Sequence, residues 1–217
     1  MKQKVFVTGG TGYIGRRLIE RLMQHGFEVL ALVRNGSEKK LPTGTTIIFG
    51  NALEANTFHN SIPNECTFIH LVGVAHPSPA KKQQFIDIDL ASIKASVTAA
   101  KNKNIAQFIY LSVAPNNIMK EYAAVRMEGE QLVRENFPNT TFVRPFYVLG
   151  PGHRWPLLLI PLFQMASLSK SGKEKVQRLG LVWIGQMINC LINVIEHPAT
   201  GIRVIEVADI KKFSKKY

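Results

Sequence analysis

The stretch VFVTGGTGYIG, residues 5–15, constrains this chain more than any other part of it. A β-rich run ends at Thr8, and glycines follow at 9, 12 and 15. A helical period starts at once, with Ile14, Leu18, Ile19 and Leu22 on one face and Gly26 after the end as a C-cap. The order is strand, tight turn, helix. One glycine permits the bend, one lets the backbone approach a pyrophosphate, and one lets helix and strand pack closely. The helix start then offers unpaired N–H groups and a partial positive charge, which suit phosphate. The turn is therefore expected to hold a dinucleotide through Gly9, Gly12, Tyr13, Ile14 and Gly15.

The rest of the chain keeps to the same alternation. EVLALVR, TTIIFG, CTFIHLVG, QFIYLSV and TTFVRP are short, nearly continuous apolar runs, as expected for strands covered on both faces. Helical patterns run from about Lys81 to Lys103 and from about Met119 to Asn136. Alternating β and α predicts an α/β fold, a doubly wound parallel sheet. A chain of 217 residues suffices for one such domain. Residues 1–150 are expected to form the dinucleotide-binding core. Residues 151–217 read as a proline-rich loop with a short apolar helix, a helix near 185–196, a strand RVIEV and a tail. They are expected to form a small cap over the carboxyl ends of the strands.

Composition narrows the class. Hydrophobic residues make up 46% and charged ones 19%, so the chain is globular rather than disordered. Cys66 and Cys190 sit in apolar runs and read as buried thiols rather than a disulfide. The N-terminus enters a strand without a leader-like apolar region, and the longest apolar run, WPLLLIPLF, is too short to span a bilayer. A cytoplasmic location is expected. The net charge of +12 suits anionic ligands. No nucleic-acid motif accompanies it, so no specific nucleic acid is expected, and the histidines show no metal-ligand spacing. His70 reads as a packed strand residue, and Glu128 and Glu130 as solvated or ion-paired helix residues.

The second run decides the dinucleotide. NAD-binding turns usually place an acid at its end, on the ribose 2′-OH. Here VLALVRNGS ends in Arg34, with no carboxylate nearby, and an arginine suits a 2′-phosphate. Arg16, directly after the third glycine, could approach the same pocket. NADP is expected, with NAD as the alternative.

Taken in order, TGGTGYIGRRL, LALVRN, FIHLVG, FIYLSV, YAAVRMEGEQLVRE and FVRPFYVLGPG resemble the atypical and extended short-chain dehydrogenases/reductases. The likeness extends to NAD-dependent epimerase/dehydratase relatives and to the branch of NmrA-like proteins and a complex I accessory subunit. It implies that Asn51 and Ala52 lie beside the adenine. It implies that Leu71, Val72 and Gly73 line the ribose and diphosphate, and that Pro145, Phe146 and Val148 face the nicotinamide. It also implies that Tyr122 moves a proton to or from a substrate oxygen while nicotinamide moves a hydride. Two positions depart from the family. Arg126 replaces the usual lysine four residues after the tyrosine, keeping the charge but closing a proton relay. Ser112 ends the fifth strand, a residue or two earlier than the family's hydroxyl often falls.

Beyond residue 150, Trp155, Leu158, Leu159, Phe163 and Met165 would wall a substrate pocket, with His153 and Arg154 meeting a carbonyl or anion. Two functions stay open. One is an NADP-dependent oxidoreductase acting on a small apolar carbonyl compound. The other is a catalytically weakened dinucleotide-binding protein, serving a protein partner as a redox sensor or assembly factor.

Overall fold

The computed structural model describes residues 2–153 and 179–216. Seven parallel strands form one sheet: β1 (Lys4–Thr8), β2 (Glu28–Val33), β3 (Thr46–Phe49), β4 (Thr67–His70), β5 (Gln107–Leu111), β6 (Thr140–Arg144) and β9 (Ile202–Glu206). Their order is β3-β2-β1-β4-β5-β6-β9. The chain runs outward from β1 to β3, then crosses back to β4 on the other side of β1. That reversal opens a crevice at the carboxyl ends of β1 and β4, where ligands of such sheets bind. Two further strands, β7 (Tyr147–Leu149) and β8 (Leu181–Trp183), pair in parallel as a small separate sheet that the sequence did not foreshadow.

Period-two alternation sends neighbouring strand residues to opposite faces, and the two faces differ in kind. Val5, Val7, Val29, Ala31, Ile69, Ile109 and Val143 make one face aliphatic. Against it pack α1 (Tyr13–Gln24) and a C-terminal helix, α4 (Ile184–Glu196), through Leu18, Ile19 and Leu22 and through Met187, Ile188, Leu191 and Ile195. The opposite face is aromatic. Phe6, Phe68 and Phe108 share a register across β1, β4 and β5. Their rings stack at 5.3 and 4.8 Å, and Phe137 extends the row at 4.7 Å. This face is covered by α2 (Ala91–Ala100) and α3 (Lys120–Asn136).

The first long helical pattern is not one regular helix. After Lys82–Gln84 it widens into a π-helical turn at Phe85–Leu90, continues as α2, and ends at Ala100 rather than Lys103. Of the expected cap, α4 lies in the core beside α1, and β9 extends the sheet against β6. The short apolar helix and the wall residues Trp155, Leu158, Leu159, Phe163 and Met165, with Arg154, lie outside the described residues. Cys66 and Cys190 are free and buried, and burial pushes both thiols up to about 12. Among the described residues no helix is long and apolar enough to cross a membrane.

Candidate active site at the crossover crevice

The glycine turn is tight for reasons visible around it. Gly9 has φ +77°, and a Cβ there would come 2.7 Å from the carbonyl carbon of Leu71. Its carbonyl accepts from the Gly12 N–H at 3.1 Å. A Cβ on Gly15 would run into the backbone of Gly9 and Gly10. Helix α1 begins after Gly12 without a side-chain cap, and its first residues, Tyr13, Ile14 and Gly15, line a cavity over the turn.

Two cavities meet over this turn. One, of about 460 Å³, is lined by Leu32, Arg34, Ser37, Asn51, Ala52, Val72 and Lys81. The other, of about 520 Å³, is lined by Tyr13, Ile14, Gly15, Ser112, Val113, Tyr122, Arg126, Pro145, Phe146 and Val148. Gly9, Gly12, Leu71, Gly73 and Val74 border both. Every residue expected at the dinucleotide reaches this pair of cavities except Arg16, which is exposed and lines neither. The helix turns Arg16 to solvent, while Arg17 lies over the Tyr13 ring and donates to the Pro151 carbonyl at 3.1 Å. His153 lines the second cavity near His76, their ring centroids 5.1 Å apart.

Tyr122 and Arg126 share one face of α3, and the Arg126 Nε–H donates to the Tyr122 hydroxyl at 3.2 Å. Arg126 is 4% exposed. Its Nη1 donates to the Val72 carbonyl at 3.1 Å, and to the Tyr110 hydroxyl and the Leu111 carbonyl at 3.3 Å each. Its Nη2 forms an ion pair with Asp89 Oδ1 at 2.7 Å. Among the described residues Nε and Nη1 donate to protein groups, while Nη2 is in ion-pair contact only: Asp89 Oδ1 accepts no aligned hydrogen bond. Burial pulls the guanidinium toward losing its proton, but Tyr122, Tyr110 and Asp89 together outweigh burial and hold it charged.

Asp89, the carboxylate paired with Arg126, is the residue beside the site that sequence reasoning missed. It sits on the π-helical turn, fully buried, and its Oδ2 accepts from the Val74 N–H at 3.0 Å. Burial raises its pKa, against the pull of Arg126 and the Val74 amide. The same turn presents Phe85 to the Tyr122 ring at 5.0 Å. An acid within the apolar run FIDIDL was the available signal, but nothing in that run distinguishes buried Asp89 from exposed Asp87. Tyr110 was missed as well; burial pushes its phenol up to about 12, so it meets Arg126 as a neutral hydroxyl.

Ser112 is 5% exposed, and its Oγ has no hydrogen-bond partner among the described residues. A buried hydroxyl without a partner is costly unless something else binds it. His70, by contrast, is packed and satisfied: its Nδ1 lies 3.0 Å from both the Thr8 and Ser96 hydroxyls. Glu130 is ion-paired but not solvated. Arg144 grips it with two bonds of 2.8 and 2.6 Å and reaches Glu206 at 2.9 Å, while Glu128 stays exposed beside Lys94. Among the described residues no cluster of potential metal ligands forms.

This fold recurs in known proteins. The chain is 25% identical over 214 residues to a ceramide reductase from Caulobacter vibrioides, covering 96% of this chain and 65% of the relative. It is 26% identical over 196 residues to the 40 kDa subunit of mitochondrial NADH-ubiquinone oxidoreductase from Neurospora crassa, covering 86% and 51%. The chain thus spans between about half and two thirds of these relatives' length. The Bordetella bronchiseptica enzyme WbmH, solved with NAD+, superposes with a TM-score of 0.69 at 18% identity, over 95% of this chain and 75% of that one. A model of the NAD dependent epimerase/dehydratase family matches residues 5–208, and the chain belongs to that family.

Proposed function

We propose that this chain binds a nicotinamide dinucleotide across the two cavities, prefers NADP, and reduces a small apolar carbonyl compound. The residues present fit such a group. The turn has no room for side chains at Gly9 and Gly15, and the helix amides beyond it suit the diphosphate. The cavity expected to take the adenine end is lined by Arg34 and Lys81 and by no carboxylate among the described residues, which favours a 2′-phosphate over a bare 2′-hydroxyl.

The observation that carries the catalytic reading is the unpartnered Ser112 Oγ, buried in the same cavity as Tyr122. A substrate carbonyl oxygen there would accept from Ser112 and from the Tyr122 hydroxyl. The dinucleotide, when bound, supplies a hydride to the carbonyl carbon. Tyr122 gives its phenolic proton to the carbonyl oxygen, so the carbonyl becomes an alcohol. The charge left on the phenol oxygen is stabilised by the Arg126 Nε–H already bonded to it. Val113, Phe146 and Val148 give the cavity an apolar lining. The relative named a ceramide reductase is in keeping with that lining.

A thermal-shift titration with NADPH, NADP, NADH and NAD tests the cofactor. The largest stabilisation is expected with NADPH or NADP; a larger one with NADH overturns the preference. Turnover of apolar ketones and aldehydes is then expected to vanish in Tyr122→Phe while NADPH binding is kept.

One observation favours a second reading, a binding protein that performs no turnover. Arg126 gives its hydrogen bonds to protein groups, whereas the family resemblance implies a lysine here that holds the cofactor ribose. The Neurospora relative is itself a subunit of a larger assembly. In that case the wild-type protein binds NADPH, turns over no carbonyl compound, and keeps its partner interactions in Tyr122→Phe.

A further inference from the structure

Two side chains four residues apart on the π-helical turn, Phe85 and Asp89, face two side chains four residues apart on α3, Tyr122 and Arg126. The ring of Phe85 meets the ring of Tyr122, and the carboxylate of Asp89 meets the guanidinium of Arg126. A π turn places these groups differently from an α turn, because each turn takes in an extra residue. Interruptions of this kind cost helix hydrogen-bond geometry, and here the interruption sits beside the proposed proton donor.

The Arg126 fork already has neutral acceptors in the Val72 and Leu111 carbonyls and the Tyr110 hydroxyl. A buried carboxylate is not needed to satisfy Nη1, and taking one out of water is costly. What Asp89 adds is direction. It draws Nη2 to one side, next to Gly73, where no Cβ intrudes. Asp89 is itself fixed by the Val74 amide at 3.0 Å. With Nη1 hydrogen-bonded and Nη2 drawn to Asp89 Oδ1 by charge rather than by an aligned hydrogen bond, the planar fork turns its Nε–H to the Tyr122 oxygen.

We infer that Asp89 is a positioning residue: through its ion pair with Arg126 it aims the guanidinium Nε–H at the Tyr122 hydroxyl. The inference rests on the reading of Tyr122 as the proton donor. It assigns Asp89 no contact with substrate or cofactor.

The test uses the full chain without cofactor, so it does not depend on turnover. Tyrosine is labelled with ¹³C at Cζ, and the Tyr122 resonance is assigned from its loss in Tyr122→Phe. Asp89→Asn keeps the shape and an acceptor for the Val74 amide but removes the charge. The Tyr122 resonance is expected to move while those of tyrosines outside the crevice stay in place. A folded Asp89→Asn with an unmoved Tyr122 resonance overturns the proposal, because a merely structural ion pair would lower stability and leave that phenol's environment unchanged.

A measurement on the wild type covers the case in which the variant fails to fold. Rotation about the Arg126 Nε–Cζ bond is followed by ¹⁵N resonances of its Nη groups. Two distinct resonances are expected from a pinned fork; one averaged resonance overturns the proposal. If the Tyr122 resonance moves in Asp89→Asn, yet Tyr122→Phe leaves turnover intact, positioning stands and the proton-donor reading falls.

Discussion

Gly73 and the Arg126 guanidinium occupy adjoining space: a Cβ at position 73 would collide with Nη2 and lie 3.0 Å from both Arg126 Cζ and Asp89 Oδ1. The loop after β4 therefore has a reason for its glycine besides the proposed approach of a cofactor. It leaves room for a buried ion pair. Gly73→Ala is expected to lower stability by about 1–3 kcal/mol, the usual cost of overpacking. It should also weaken NADPH binding, since Gly73 borders both cavities. Chemical denaturation and NADPH fluorescence titration check the two effects. Unchanged values in both would show that the guanidinium can move aside freely.

If catalysis is latent, Arg126→Lys restores the family's pair and should raise activity, but the packing around Arg126 sets a cost in stability. A lysine cannot bridge the Val72 and Leu111 carbonyls, Tyr110 and Asp89 at once, so Asp89 is left buried with a poorer partner. Arg126→Lys is expected to cost about 2–3 kcal/mol of stability. Adding Asp89→Asn should recover part of that loss. A double-mutant cycle by denaturation reads the coupling, and additive losses would show that the two side chains act independently.

Arg34 lines the cavity proposed for the adenine end and is exposed, while Arg16 is turned away. Arg34→Ala is expected to weaken NADPH binding roughly tenfold to a hundredfold, the worth of a charge-assisted contact to phosphate. NADH binding should hardly change. Arg16→Ala should leave both affinities as they are. Equal losses for NADPH and NADH in Arg34→Ala would remove this residue from the 2′-phosphate.

The aromatic row Phe6–Phe68–Phe108 is fully buried. Phe68→Ala empties its centre and is expected to cost about 3–5 kcal/mol. Urea denaturation of the apo protein measures it. A loss under about 1 kcal/mol would mean that the neighbouring rings close the gap.

His70 is fully buried, and burial, helped by the charge of Arg126, holds its pKa well below the ordinary 6.5. The unfolded chain thus takes up a proton near pH 6.5 that the folded one refuses. Its contribution to stability is complete above pH 6.5 and is lost as pH falls from there toward the folded value. The loss approaches about 1.4 kcal/mol for each pH unit. His70→Asn should be less stable at neutral pH but should lose stability more slowly between pH 6.5 and 5. Parallel stability curves for the two proteins would show that His70 carries no such linkage.

The glycine turn and the parallel sheet were legible in the residues themselves. Turn chemistry, hydrophobic period and the order of elements are local properties, and each is written within a dozen residues. The same locality made Tyr122 and Arg126 a recognisable pair, since four residues of helix suffice to put them on one face. What the tertiary structure alone decided was where that pair's charge goes. Asp89 meets Arg126 only because a π turn and α3 pack side by side over the aromatic face of the sheet. Arg34 reaches a cavity and Arg16 does not because the end of β2 and the first turn of α1 point different ways. Glu130 is buried on Arg144 rather than solvated because β6 passes beneath its helix. Each of these is a contact between segments distant in sequence, set by packing geometry that no local spacing encodes.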